Sequence, residues 1–230
     1  MILIPFFTLA LASFLELGKN TNRGFDATSA EREEVKRIVD GLVRDGGGDR
    51  MRGLEGLRGD WTLIYTDAPD ITSLANNPVA SLGRIGQNIE RTDGTDDNFY
   101  EIKNCIEWMR PSNFPNPLKL PRSLIGEGKN SRVIQKVVTR GAQRSAEEPF
   151  LVDLVVRGVE ILPEEADGET LPLPLRLLKD LSLPSQTIFS DKLPFGSFEL
   201  LYLDSEFRII KTSNNHLAAN VRVSDDERWF

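Results

Sequence analysis

A single antiparallel β-barrel with one α-helix packed outside it is the fold this sequence predicts. Three observations carry the prediction. Seven to nine short segments of alternating or β-branched character follow one another from Gly59 to the end, with no helix-period segment between them. A capped amphipathic helix precedes them. The first strand opens with Gly59-Asp60-Trp61, a Gly that lets the backbone pass close to a neighbour and an indole large enough to plug the end of a barrel. Strands without intervening helices argue against a parallel α/β sheet.

Taken in order, Ile2 to Leu15 is almost entirely apolar, and at about 14 residues it is too short to span a bilayer. It reads either as a targeting h-region with Ala10-Leu11-Ala12 as a small-residue cleavage site, or as an apolar helix on the domain; no Lys or Arg precedes Lys19. Residues 1–13 are therefore set apart from one domain over 14–230. Thr28 and Glu31 form a capping box, after which Val35, Ile38, Val39, Leu42 and Val43 share one helical face until Gly46-Gly47-Gly48 ends the run. That stripe packs on its own domain or receives a partner.

In Trp61 to Thr66, alternation places Trp61, Leu63 and Tyr65 on one face. Ile85 to Thr92 and Tyr100 to Trp108 form the next pair, turned at Asp93-Gly94; Tyr100, Ile102, Ile106 and Trp108 face inward, and Glu101, Lys103, Cys105 and Glu107 face water. Phe150, Val152, Leu154 and Val156 alternate in a later strand. Phe198 to Leu203 and Phe207 to Thr212 flank Asp204-Ser205-Glu206 as a hairpin, and Leu217, Ala219, Val221 and Val223 mark the last strand. Val133 to Thr139 and Thr187 to Ser190 carry weaker strand signals. Two segments read as long loops: Asp67 to Gly83, and Leu162 to Pro184 with Leu171-Pro172-Leu173-Pro174-Leu175 leading into Arg176 to Leu181. The second is a lid or lipid contact, or a connector whose leucines cap the core.

Composition narrows the function classes. The 230 residues carry a net charge of −7, so nucleic acid is not expected as a partner: little counterion release is available. One cysteine and one histidine leave no internal disulfide, no CxxC motif and too few soft ligands for a typical zinc site, so no metal or cofactor is expected. His216 sits in a polar turn, Cys105 lacks an adjacent basic cluster, and Gly126-Glu127-Gly128 is too short to cradle a phosphate. Asp225-Asp226-Glu227 reads as a solvated acidic tail. No catalytic residue is assigned.

Four motifs in order resemble the plastid lipid-associated (PAP, or fibrillin) family, over most of the chain from Phe14. They are Leu15-Glu16-Leu17 with Thr21-Asn22-Arg23-Gly24-Phe25-Asp26-Ala27-Thr28; Leu57-Arg58-Gly59-Asp60-Trp61-Thr62-Leu63-Ile64-Tyr65-Thr66; Ile85-Gly86-Gln87-Asn88-Ile89; and Leu201-Tyr202-Leu203-Asp204-Ser205-Glu206-Phe207-Arg208-Ile209. The family's Gly-Asn-x-Gly ahead of the last strand reads Thr212-Ser213-Asn214-Asn215-His216 here. The resemblance implies a lipocalin-like barrel, a plastid location at plastoglobules or thylakoids, and association with carotenoids, quinones and related isoprenoid lipids. It also implies a floor built from Gly59, Trp61 and Arg208, with the guanidinium across the indole.

Two function classes follow. In the first, an apolar lipid occupies the lumen, lined by Leu63, Tyr65, Tyr100, Ile102, Val152, Leu154, Leu200 and Tyr202, with the Tyr65 and Tyr202 hydroxyls orienting its head. In the second, side chains fill the barrel, and the protein is a coat on lipid bodies or thylakoid surfaces, or a partner of a lipid-biosynthesis enzyme.

Overall fold

Thr28 begins the best-marked helix. In the computed structural model, which describes residues 6–76, 81–92, 99–109, 132–163 and 194–230, the Thr28 Oγ1 accepts from Glu31 N at 3.3 Å, and Thr28 N donates to Glu31 Oε2 at 2.7 Å. This box opens α2 (Ser29–Arg44), which buries Val35, Val39 and Leu42. Ahead of it runs α1 (Phe6–Asn20), one continuous helix through positions 13 and 14. Ala10 and Phe14 of α1 pack with the α2 stripe in a single cluster, so both helices cover the domain. Among the described residues, no helix is long and apolar enough to cross a membrane.

A short helix, α3 (Gly53–Gly56), leads into β1 (Gly59–Thr66). Another, α4 (Pro69–Thr72), separates β1 from β2 (Ser81–Arg91). Then come β3 (Phe99–Met109), β4 (Arg132–Gln143), β5 (Leu151–Pro163), β6 (Pro194–Leu203), β7 (Phe207–Thr212) and β8 (Leu217–Arg222). These eight strands pair antiparallel in sequence order, and β8 returns to β1 to close the barrel. Closure gives every strand a neighbour on both sides.

The wall has two apolar faces. Inside, Trp61, Leu63, Ile89, Ile102, Val152 and Leu200 share a cluster with Leu54 and Leu57 from the α3 segment. Outside, Phe207, Ile209, Leu217 and Ala219 meet α1 and α2. The outer face of β7 and β8 is therefore apolar as well, because helices cover it. The Leu217, Ala219 and Val221 series of β8 belongs to that outer face, while Ala218 points inward.

The segment from Asp67 to Gly83 is shorter as a loop than its Pro and Asn content implies. Pro69 opens α4, a 3-10 turn covers Ser73–Asn76, and β2 already begins at Ser81. A bulge between Leu82 and Ile85 absorbs Gly83 into the strand. The turn at Asp93-Gly94, the Gly126-Glu127-Gly128 segment, the Thr187 to Ser190 strand and the Leu171 to Leu183 segment lie outside the described residues; of the Leu162 to Pro184 interruption, Leu162 and Pro163 are the end of β5.

The chain ends on the outer wall. After the 3-10 turn Asp225–Glu227, Trp229 Nε1 donates to Thr62 Oγ1 at 2.9 Å, and Arg228 pairs with Asp60 at 3.1 Å. Trp229 and Phe230 cover Cys105 and Ile134. Gly86 permits this approach: a Cβ there would lie 2.9 Å from Trp229 Cζ2 and 2.5 Å from the Trp61 carbonyl oxygen. The outer side of Cys105, read from alternation as wet, is thus covered by residues more than a hundred positions away.

Candidate functional site

One end of the barrel is sealed by the segment just before β1. Gly59 adopts φ +113°, a conformation that suits glycine, and a Cβ there would approach Arg222 Nη1 to 2.6 Å. This kink turns the chain from α3 into β1 and brings Trp61 inside, fully buried, with its indole N–H donating to the Leu57 carbonyl at 2.8 Å. Leu54 and Leu57 fill the space beneath, and the Tyr100 hydroxyl donates to Glu55 Oε2 at 2.7 Å. Burial and the Glu55 carboxylate push the Tyr100 phenol up to about 12. Arg222 latches the floor from β8: it donates to the carbonyls of Ser205, Arg58 and Gly56, and its Cζ lies 4.2 Å from the Trp61 ring centroid.

Arg208 crosses the interior above this floor. It leaves β7, passes over Trp61 with Cζ 4.6 Å from the ring centroid, and donates from Nη2 to Gln87 Oε1 of β2. Gln87 Nε2 in turn donates to Asn104 Oδ1 of β3 at 2.5 Å, and Asn104 Nδ2 reaches the Val137 carbonyl of β4 at 3.4 Å. A polar belt therefore spans the lumen on residues that are register neighbours: Trp61 pairs with Gln87, Gln87 with Asn104, and Asn104 with Val137. The guanidinium is wholly buried, and burial together with the Arg222 charge lowers its pKa to about 9. Its Nε and Nη1 have no hydrogen-bond partner among the described residues. Neither Gln87, quoted only within a family motif, nor Asn104 was assigned a role from the sequence, although each shows a readable signal: a polar side chain at an inward position between Ile85 and Ile89, or between Ile102 and Ile106.

Inner-face side chains around Trp61 are buried, and those farther along β2 to β4 are only partly buried. Trp61, Leu63, Ile102, Val152 and Leu200 are at most 4% exposed. Gln87, Asn104, Ile106, Trp108, Gln135 and Val137 are only partly buried, although their register places them on the inner face. Trp108 Nε1 donates to Gln135 Oε1 at 2.9 Å within this second set. Phe25, Ile71 and Leu82 pack, partly buried, against the same interior cluster.

Of the eight lining residues expected from parity, Leu63, Tyr100, Ile102, Val152 and Leu200 lie in the interior cluster, and Leu154 packs partly buried against it. Tyr65 and Tyr202 do not. Both belong to the outer cluster under α1 and α2, Tyr65 edge-on to Phe14 with centroids 6.1 Å apart. The cause is a register shift between Leu63 and Tyr65 in β1 and another between Leu200 and Tyr202 in β6, each of which reverses the alternation. The Tyr202 hydroxyl donates to Asp204 Oδ2 at 2.9 Å, so neither phenol orients a ligand inside the barrel.

The remaining reactive side chains are structural. Cys105 is buried, and desolvation pushes its thiol up to about 11, away from nucleophilic character. His216 Nδ1 lies 3.6 Å from Asp67 Oδ1, the oxygen that accepts from Leu217 N at 2.7 Å and pins the β7–β8 turn. Among the described residues, no group of three or more His, Cys, Asp or Glu side chains could hold a metal ion.

Comparison with known proteins agrees with this architecture. The PAP_fibrillin family model matches residues 10–119, from the middle of α1 through β3. The chain is also similar to the probable plastid-lipid-associated protein 10, chloroplastic, of Arabidopsis thaliana, with 31% identity over 98 residues, 41% of this chain and 34% of that protein. The match thus spans about a third of the relative's length. Most of α1, all of α2 and the strands β1 to β3 thus lie in the part of the chain that is similar to the PAP/fibrillin family.

Proposed function

We propose that this protein binds an apolar isoprenoid-type lipid, such as a quinone or carotenoid, in the upper lumen of its barrel, without covalent chemistry. The observation that carries the reading is the contrast along the inner face: side chains are buried around Trp61 and only partly buried farther along β2 to β4. A concave, mostly apolar space with a few convergent polar groups suits such a ligand. The match to the PAP_fibrillin model and a relative named for plastid lipid association support a plastid lipid-associated role; the periphery of plastoglobules or thylakoids is the location this reading assigns. Mass spectrometry of a lipid extract from gently purified protein tests this: a stoichiometric isoprenoid lipid is the expected result, and an empty extract from folded protein contradicts it.

One observation favours a second reading. Trp61 and Tyr100 fill the lower lumen with side chains, as a coat or scaffold barrel would require. In that case the protein would act through its surface, on a lipid body or a lipid-metabolism enzyme.

A further inference from the structure

A fully buried guanidinium ordinarily has a carboxylate or several acceptors around it, because an isolated charge in a low-dielectric interior is costly. Arg208 has one acceptor, Gln87 Oε1, and no carboxylate is paired with it among the described residues. The indole beneath it offers a cation–π contact, which lowers the cost but occupies no N–H. The charge that acts on it is that of Arg222, of the same sign.

Gln87 and Asn104 sit in paired strands with their side chains inside, and both retain partial exposure beside the buried Arg208. Above them the wall is apolar at Ile85, Ile106 and Val137. A ligand complementary to this arrangement has an apolar body toward the rim and a compact head at the floor. The head must accept hydrogen bonds and carry one negative charge. A neutral carbonyl accepts but leaves the cation uncompensated; a phosphate dianion over-compensates it and costs more to desolvate.

We infer that the lumen takes a lipid with a carboxylate head, which accepts hydrogen bonds from the Arg208 guanidinium beside Gln87 and directs its apolar tail to the rim. The inference rests on the lumen being the lipid site, and it specifies the head that this site selects. Arg208 thereby has two roles: its stacking on Trp61 closes the floor, and its remaining donors read the ligand.

The test uses the full chain and two probes with the same isoprenoid tail, retinoic acid and methyl retinoate, titrated by quenching of tryptophan fluorescence. Wild-type protein should bind the acid at least about tenfold more tightly than the ester, the scale of one hydrogen bond to a charged group. Arg208→Gln should bind both with the ester's affinity. Equal binding of acid and ester by wild-type protein, or a preference that persists in folded Arg208→Gln, overturns the carboxylate inference while leaving lipid binding in place. Failure of wild-type protein to bind either probe overturns both. The wild-type ratio decides the matter even where Arg208→Gln does not fold.

Discussion

Arg208 lies over the Trp61 ring, 4.6 Å from Cζ to the centroid, among inner-face side chains that are buried around Trp61 and only partly buried farther along β2 to β4. The indole is held from below by its hydrogen bond to the Leu57 carbonyl, so its plane is fixed before the guanidinium settles on it. Gln87 then anchors the far end of Arg208 on the opposite wall. Three strands, β7, β1 and β2, are tied through one layer of side chains.

That layer should dominate stability. Trp61→Ala removes a fully buried indole and leaves Arg208 stacked on nothing, and is expected to cost about 3–5 kcal/mol. Urea unfolding followed by circular dichroism measures it. A loss below about 1 kcal/mol would show that the floor collapses around the vacancy without consequence.

Tyr65 and Tyr202 separate the two clusters experimentally. Both lie outside the lumen, so Tyr65→Phe and Tyr202→Phe should leave lipid affinity within twofold of wild type. The Tyr65 hydroxyl is buried with no partner among the described residues, and desolvation pushes it up to about 12. Removing it should therefore be neutral or stabilise by about 1 kcal/mol, as expected for an unmade hydrogen bond. Denaturation midpoints of Tyr65→Phe and wild type check this; a loss above 1 kcal/mol would reveal a partner.

Cys105 should report on the C-terminal strap. With Trp229 and Phe230 over it, the thiol should react with a disulfide reagent only on opening of the strap. Trp229→Ala should raise its labelling rate at pH 8 by at least about tenfold, consistent with a local rather than global opening. The same thiol predicts a pH effect. Its ordinary value of 9.0 rises to about 11 on burial, so the folded state holds the proton more tightly than the unfolded chain. Stability from this group is present below pH 9 and is lost as pH climbs toward 11. Wild-type protein should lose stability relative to Cys105→Ala across that window, measured by thermal unfolding at stepped pH; parallel curves would contradict the burial.

Strand positions and inward parity were legible wherever the strands ran regularly. Leu63, Tyr100, Ile102, Val152 and Leu200 fall on the face that alternation assigned to them. Alternation fails at Tyr65 and Tyr202 because a bulge inserts one residue without any compositional mark, and here the exposed side of the wall is apolar too, under α1 and α2. Hydrophobicity cannot tell inside from outside when both faces are dry. The cover on Cys105 was illegible for another reason: it comes from Trp229, distant in sequence, and depends on the close approach that Gly86 allows. The Arg208–Gln87–Asn104 belt depends on the register of β1, β2, β3 and β7, which no single strand displays.

The central claim is that the upper lumen is the lipid site, and the most direct measurement is a fluorescence titration with a quinone against wild-type protein and Leu154→Arg. Leu154 lies on the inner face, partly buried against the interior cluster, so an arginine there places a charge in the path of the ligand while the floor layer stays intact. The expected result is saturable binding by wild type, an affinity nearly independent of salt because no exposed charge pair drives it, and at least about a tenfold loss in a folded Leu154→Arg, on the scale of burying an unpaired charge. Equal binding by both proteins, or binding by neither, would contradict the lumen site and leave the barrel as a scaffold.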